Sequence, residues 1–136
     1  MPSQKRQFGD TGEEAAANYL KQKGYKILDR NWRIKGGEID IVAAKTSGII
    51  RAKIEEIIFV EVKTIKGAGS EFDAALAAQN VHYQKQRRLI RAARTYLAHK
   101  KIPPQTPWRI DVLLVALDSS TSLAKIEHLE NAVWGK

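Results

Sequence analysis

Residues 57–64 read IIFVEVKT, and the arrangement of the rest of the chain follows from this stretch. Its β-branched and aromatic residues predict a buried strand. One face of that strand is apolar throughout, whereas the other face ends in Glu61 and Lys63, which lie two residues apart and therefore project on the same side. A buried strand carries such charges only where they are paired, solvated or used.

A second strand is predicted for residues 36–44, GGEIDIVAA, directly after a glycine turn. Apolar and polar residues alternate along it, and the apolar face is formed by Ile39, Ile41 and Ala43. An antiparallel hairpin with Ala43 opposite Ile58 keeps the apolar residues of both strands on one shared face. A slip of one residue would move the whole set to the other face, so the pattern favours this register.

In this register the polar ends of the two strands meet, with Asp40 opposite Glu61 and Glu38 opposite Lys63. Facing carboxylates are suited to hold Mg²⁺ or Mn²⁺, and such an ion polarises a phosphate and lowers the pKa of a bound water. The lysine can orient or deprotonate that water and neutralise charge that develops on phosphorus. The simpler alternative is a solvated strand end with a cross-strand ion pair. Asp40 in register with an otherwise apolar strand favours a metal site for phosphodiester hydrolysis.

The N-terminal part of the chain predicts a helix that begins at Thr11 and ends near Gly24. Thr11 and Glu14 have the spacing of a capping box, and glycine commonly ends a helix. Glu13 falls on the inward stripe of this helix. It is either a first-turn acid favoured by the helix dipole or a further carboxylate directed at the metal site.

A second helix is predicted for residues 80–99, with Lys85 on its inward stripe. Lys85 either extends past the edge of the core or places a second ammonium beside the phosphate. The remaining faces carry four arginines, Arg87, Arg88, Arg91 and Arg94. Such arginines are commonly solvated, but on a basic chain they are also suited to contact phosphates.

The other predicted elements complete the sheet. Residues 108–117 predict a core strand, residues 123–129 an edge strand and residues 72–78 a short helical turn. Residues 45–56 either form a loop or extend the two strands of the hairpin. Asp111, the acid within the core strand, is interpreted as a structural group near Arg109 rather than a neighbour of the acidic patch.

Composition limits the classes of protein and partner. With 136 residues, 43% of them hydrophobic, the chain predicts one compact domain over residues 1–136. A net charge of +8 favours a polyanionic partner, with nucleic acid ahead of an anionic membrane surface. The absence of cysteine excludes disulfides and thiolate zinc sites, and three scattered histidines argue against a histidine metal site. Without a signal segment or a bilayer-spanning apolar run, a cytoplasmic protein with no membrane association is expected.

These features together resemble the YraN-like family of bacterial proteins, which belongs to the restriction-endonuclease-like superfamily. The resemblance covers residues 9–114 and rests on an acid in an alanine-rich first helix, two strand motifs and a lysine in a helix that ends Ala-x-x-Tyr-Leu. These are Glu13, GEID at 37–40, FVEVK at 59–63 and Lys85. The resemblance implies an α/β/α core with a mixed central β-sheet and a Mg²⁺ site. Residues 45–56 depart from the usual pattern as a long insertion.

By this resemblance Asp40 and Glu61 match metal-binding acids, Lys63 matches a catalytic lysine, and Glu13 matches a first-helix acid of resolvase-type sites. The function expected is Mg²⁺-dependent cleavage of DNA, with branched DNA suggested by fold analogy to Holliday junction resolvases. One alternative is a nucleic-acid-binding module that no longer cleaves, and another is a protein-interaction domain. Resolvase-like relatives also suggest a homodimer, because twofold symmetry suits two cuts in a symmetric junction.

Overall fold

A five-stranded mixed sheet lies between two helices in the part of the chain described by the computed structural model, residues 3–50, 52–66, 83–117 and 124–133. The elements are α1 (Gln4–Gln22), β1 (Lys26–Ile34), β2 (Gly37–Ser47), β3 (Lys53–Lys66), α2 (Tyr83–His99), β4 (Trp108–Leu117) and β5 (Ala124–Leu129). The strands lie side by side in chain order, and only the β3–β4 pair among them is parallel. The expected α/β/α core with a mixed central β-sheet is confirmed.

Strand β3 lies at the centre of the sheet and contributes to two separate hydrophobic layers. Ile58 and Val60 pack beneath α1, whereas Ile57 and Phe59 pack in the layer that includes α2. All four side chains are buried. Both faces of β3 are therefore covered from Ile57 to Val60, and Glu61 is the first residue beyond this buried segment.

The predicted hairpin register is confirmed, since Ala43 pairs with Ile58. Its extension to the polar residues was wrong, because the β2–β3 ladder ends at Ile41 and Val60. Neither the Asp40–Glu61 pair nor the Glu38–Lys63 pair belongs to the ladder, and Glu38 instead pairs with Arg33 of β1. Beyond Ile41, therefore, β2 follows β1 rather than β3.

The prediction that Ile39 shares a face with Ile41 was wrong. Ile39 packs with Trp32 in the layer beneath α2, whereas Ile41 packs beneath α1. Asn31, next to Trp32 in β1, has a φ of 52°. A left-handed residue interrupts the alternation of side chains between the two faces of a strand. The paired residues Trp32 and Ile39 consequently lie on the face opposite to the one that simple alternation predicts.

Helix α1 begins at Gln4, so the prediction that Thr11 caps its start was wrong. The Thr11 hydroxyl lies inside the helix and donates to the Gln7 carbonyl at 2.8 Å, a common way for threonine to be satisfied within a helix. The predicted end of the helix is confirmed. Gly24 has a φ of 92°, and the N–H groups of Gly24 and Tyr25 donate to carbonyls of the last turn.

The remaining elements agree closely with expectation. Strand β4 has the predicted bounds, and β5 is an edge strand that begins at Ala124. The insertion at residues 45–56 extends both strands of the β2–β3 hairpin, and Ile49 and Ile50 are fully exposed at its tip. The helical turn predicted at residues 72–78, and the first part of the helix predicted at residues 80–99, lie outside the described residues. No helix in the described ranges is long and apolar enough to cross a membrane.

Because α1 approaches β3 closely, alanine substitutions at two glycines of this helix should differ strongly in their effect on stability. A Cβ added at Gly12 would overlap the Thr64 side chain, whereas a Cβ at Gly9 meets nothing within 4 Å. We expect Gly12→Ala to lower the free energy of unfolding by about 1–3 kcal/mol, because overpacking forces the helix away from the sheet. Gly9→Ala is the matched control and should raise stability by up to about 1 kcal/mol through helix propensity. Denaturant unfolding of both variants tests this, and equal stabilities would contradict the contact.

Candidate functional site

An open cavity of about 580 Å³ lies where β2 departs from β3, between the β1–β2 turn and the first turns of α2. Acids, cations and glycines line it: Arg33, Ile34, Gly36, Gly37, Glu38, Asp40, Glu61, Lys85, Arg88 and Leu89. The cavity therefore includes Asp40, Glu61 and Lys85, which are three of the five candidate catalytic residues predicted from the sequence. It also has an unusual balance of three carboxylates and three cations at one edge of a sheet.

Asp40 is held by the backbone of β3. Its Oδ2 atom accepts a hydrogen bond from the Val62 N–H at 2.8 Å, and this bond lies just past the end of the β2–β3 ladder. Burial raises the pKa of the Asp40 carboxyl to about 8, and the negative charge of Glu61 contributes to the increase, while the Val62 hydrogen bond opposes both. Glu13 and Glu38 add to the increase. A cation beside Asp40 would stabilise the ionised form of its carboxyl.

Glu61 faces α2. Its Oε1 atom lies 3.0 Å from the Lys85 ammonium, and its side chain is 17% exposed whereas that of Lys85 is 49% exposed. The ion pair bridges β3 and the first turn of α2 that the structure describes. The alternative that Lys85 merely extends past the core edge does not describe this geometry, because its ammonium contacts a largely buried carboxylate on β3.

Glu13 approaches the site from the opposite face of the sheet. It is half-buried on α1, and burial raises the pKa of its carboxyl while a hydrogen bond with Asn31 lowers it. Its charge acts on Asp40, yet Glu13 does not line the cavity. Asn31, the left-handed residue of β1, thus also holds Glu13 near Asp40.

Lys63 lies apart from the cavity. It is exposed on β3, two residues beyond Glu61, and it is absent from the cavity lining. Glu38 does line the cavity, but its carboxylate lies 3.5 Å from the Arg33 guanidinium and not opposite Lys63. The structure therefore brings Asp40, Glu61 and Lys85 together, places Glu13 behind Asp40, and leaves Lys63 exposed outside the cavity.

Two cationic residues of the cavity were not predicted to line it: Arg33 was not considered, and Arg88 was assigned only to the arginines suited to contact phosphates. Arg88 follows Lys85 by three residues, and residues three apart share one face of a helix, so a signal for it existed. Arg33 precedes the glycine turn and joins the cavity only because β2 follows β1 past Ile41, which the sequence does not show.

The donor set fits a hard divalent cation only in part. No group of three or more His, Cys, Asp or Glu side chains in the described ranges is arranged to hold a metal. Mg²⁺, however, is commonly bound by one or two carboxylates together with waters and substrate phosphates. Asp40 and Glu61 meet that lower requirement, since they are close enough for the charge of one to raise the pKa of the other.

Asp111 belongs to a separate buried network, which confirms its interpretation as a structural group. It is fully buried and accepts hydrogen bonds from Arg109 Nε and the Asn131 N–H, both at 2.9 Å. His128 Nε2 lies 2.7 Å from its other oxygen, and Tyr19 of α1 contacts His128 Nδ1 at 3.1 Å. Burial would raise the pKa of Asp111, but hydrogen bonds from His128 and Arg109 outweigh it and hold the pKa below its usual value. The partners of His128 were missed because they are far away in sequence.

Comparison with known proteins gives one consistent family. A family model described as "Uncharacterised protein family UPF0102" matches residues 12–115. A UPF0102 protein of Roseiflexus castenholzii is 37% identical over 98% of this chain and 98% of its own length. A UPF0102 protein of Chloroflexus aurantiacus is 41% identical over 83% of this chain and 82% of its own, and one of Caldanaerobacter subterraneus is 35% identical over 94% and 95%. The resemblance drawn from the GEID and FVEVK motifs is confirmed.

The raised pKa of Asp40 predicts a specific dependence of stability on pH. In the unfolded chain this carboxyl ionises near pH 4, whereas in the folded protein it ionises near pH 8. Its contribution to stability is therefore fully present below pH 4 and is lost progressively as the pH rises to about 8. Asp40→Asn keeps the size of the side chain and an oxygen for the Val62 N–H, but it cannot ionise, so it should lack this part of the pH dependence.

We expect the native protein to lose on the order of 1 kcal/mol or more, relative to Asp40→Asn, between pH 4 and pH 8 without divalent metal. Thermal unfolding of both proteins across that range measures the difference. Glu14→Gln is the control of opposite sign. The Arg30 guanidinium lowers the pKa of Glu14, so the native protein should gain stability over that variant as the pH rises. Parallel curves for native protein and Asp40→Asn would contradict the account of Asp40.

Proposed function

The chain belongs to uncharacterised protein family UPF0102, and from the site that it carries we propose that it is a metal-dependent endonuclease that hydrolyses DNA phosphodiester bonds. One observation carries the proposal. Asp40 is a largely buried carboxyl whose neighbour is a second carboxylate, Glu61, and both line an open cavity with cationic walls. Such crowding of acids opposes folding at neutral pH and is explained most simply by a cation that the two carboxylates share.

The proposed ligands are Asp40 and Glu61, with Glu13 adding negative charge from behind. Mg²⁺ or Mn²⁺ bound there would polarise a phosphate of the substrate and lower the pKa of a bound water. The chain itself orients the Asp40 carboxyl through the Val62 N–H, which accounts for one of its oxygens. Asp40 binds the ion only after it loses the proton that burial favours, so cation binding and ionisation of Asp40 are linked.

The cations around the cavity suit the other half of the reaction. Arg33 and Arg88 present guanidinium groups at the cavity, and a guanidinium group can donate two parallel hydrogen bonds to phosphate oxygens. Lys63 carries no ligand oxygen, so its proposed role is to orient or deprotonate the attacking water, or to neutralise charge on phosphorus. Lys63 is exposed, and a bound strand that passes the end of β3 would meet it there.

DNA is the proposed partner because the net charge of +8 favours a polyanion and the proposed chemistry acts on phosphodiesters. Branched DNA and a homodimer are proposed by analogy with resolvases alone. A specific observation also supports the alternative of a binding module that does not cleave. No three-donor metal cluster is present in the described residues, and Lys85 already neutralises Glu61.

Cleavage by charge variants tests the proposal. We expect Glu61→Gln, which keeps the shape of the side chain but removes its charge, to bind Mn²⁺ poorly and to cut at least about 100-fold more slowly. Lys63→Ala should bind Mn²⁺ normally and cut about 10²–10⁴-fold more slowly. The assay uses linear, flapped and four-way DNA with Mg²⁺ or Mn²⁺, and circular dichroism confirms that each variant is folded.

Glu14→Gln serves as the control, because Glu14 is an exposed acid on α1 that pairs with Arg30 and lies outside the cavity. It should cut at the native rate. If the native protein cuts none of these substrates, or if Glu61→Gln cuts as well as the native protein, the nuclease proposal fails and the binding module takes its place.

The Lys85–Glu61 ion pair predicts competition between lysine and metal. Since the Lys85 ammonium already contacts Glu61 Oε1, a cation that binds this oxygen must displace it. Lys85→Met keeps most of the aliphatic stem and should bind Mn²⁺ several-fold more tightly in titration calorimetry, while cutting more slowly. Lys100→Met is the control, because Lys100 pairs with Asp29 away from the cavity, and it should leave Mn²⁺ affinity unchanged. Unchanged or weaker affinity in Lys85→Met would show that no such competition exists.

A further inference from the structure

Helix α2 has a strongly basic composition. Between Tyr83 and His99 it contains one lysine and four arginines and no aspartate or glutamate. Helix α1, on the other face of the sheet, includes Asp10, Glu13 and Glu14. The outer surface of α2 is therefore cationic in a way that the outer surface of α1 is not. Charge of this kind on one helix defines a surface and not only an average property of the chain.

Three of these arginines line a groove on α2. Its walls and floor are formed by Arg87, Ile90, Arg91, Arg94, Thr95 and Ala98, around a volume of about 470 Å³. Arg87, Arg91 and Arg94 are four and three residues apart, so they form one stripe along the helix. All three are exposed, and Ile90 is buried beneath them. Neither Arg91 nor Arg94 forms an ion pair with any acid in the described ranges.

The arginine groove adjoins the cavity that holds Asp40 and Glu61. Arg88, which lines the cavity, is the chain neighbour of Arg87, which lines the groove. Arg91 also reaches toward the cavity, since its terminal guanidinium nitrogen lies 3.3 Å from the position of a Cβ on Gly36. Gly36 belongs to the cavity lining. The two concave surfaces are thus connected by cations, without an acid of α2 between them.

We propose that the arginine groove binds the sugar–phosphate backbone of the DNA strand that extends away from the cavity. This inference rests on the proposed function and identifies the surface through which the site holds its substrate. Arginine suits this role because its planar guanidinium donates two parallel hydrogen bonds to phosphate oxygens. The stripe from Arg87 to Arg94 is about 10 Å long at 1.5 Å per residue, which is the axial length of about three base-pair steps.

The groove is suited to recognise the charge of the DNA backbone rather than the base sequence. Its charged side chains are arginines, and its floor is the small apolar surface of Ile90 and Ala98. Backbone contacts position a protein on DNA without specifying bases. An acidic peptide would also satisfy the arginines, and its binding is the competing outcome of the test. The DNA backbone is favoured because the groove continues, through Arg87 and Arg88, into the cavity that is proposed to act on phosphodiesters.

The test measures DNA binding by fluorescence anisotropy at several salt concentrations, with the full chain and without divalent metal. The double variant Arg91→Gln, Arg94→Gln should bind a labelled duplex at least tenfold more weakly at low salt. Its slope of log K against log salt should be smaller by about two, because each arginine that no longer neutralises a phosphate lowers the slope by close to one. Arg91→Lys, Arg94→Lys keeps the charges and should retain most of the native slope.

The matched control is Lys21→Gln, Lys23→Gln, which removes two exposed charges, one from the last turn of α1 and one just after it. It should change the slope by less than about 0.5. Equal slopes for the arginine and lysine double variants would show that only net charge matters and would overturn the proposal. So would a glutamate-rich peptide whose binding depends on Arg91 and Arg94 more strongly than that of DNA. Because no metal is present, this assay measures DNA binding alone, so a failure of the groove is distinguishable from a failure of cleavage.

Discussion

The hydrogen bond from the Val62 N–H to Asp40 is the contact on which the candidate site depends. From Ala44 and Ile57 to Ile41 and Val60, the β2–β3 hairpin is held by a regular backbone ladder with both faces buried. Past that point β2 follows β1, and the Asp40 carboxyl provides the acceptor that Val62 would otherwise lack. A buried N–H without a partner costs about as much as a lost hydrogen bond, so the carboxyl is fixed there by the needs of the backbone. The cavity exists because the two strands separate, and Asp40 lies in it because its carboxyl bridges them.

Electrostatics explains why this corner of the sheet is suited to bind a cation and a polyanion together. The acids cluster on the strand ends and on α1, where burial and mutual repulsion raise the pKa of both Asp40 and Glu13. The cations lie on α2 and near the end of β1, around the mouth of the same cavity. Lys85 joins the two groups through Glu61. A divalent ion would relieve the repulsion among the acids, and a phosphate would then find arginines already in place, so each ligand would favour the other.

Much of this arrangement could be predicted from sequence, and the exceptions have physical causes. The register of Ala43 and Ile58 was predictable because a slip of one residue would move the apolar residues of one strand to the wrong face. The side of the sheet on which Ile39 packs could not be predicted, because Asn31 adopts a left-handed conformation that interrupts simple alternation. Asparagine is one of the residues that tolerates this conformation. The start of α1 was predicted wrongly because the spacing of Thr11 and Glu14 is the same whether these residues lie inside a helix or at its N-terminus. The partners of His128 were hidden because Asp111 and Tyr19 lie 17 and 109 residues away. Contacts at such separations depend on topology, which a local pattern does not contain.

The central claim is that Asp40 and Glu61 together hold a divalent cation at the place where β2 and β3 separate. Anomalous diffraction from crystals of the native protein soaked in Mn²⁺ tests it most directly. The account predicts one strong anomalous peak in contact with both carboxylates, with the Lys85 ammonium moved away from Glu61. The absence of any peak there at saturating Mn²⁺, with Lys85 still paired to Glu61, would contradict it.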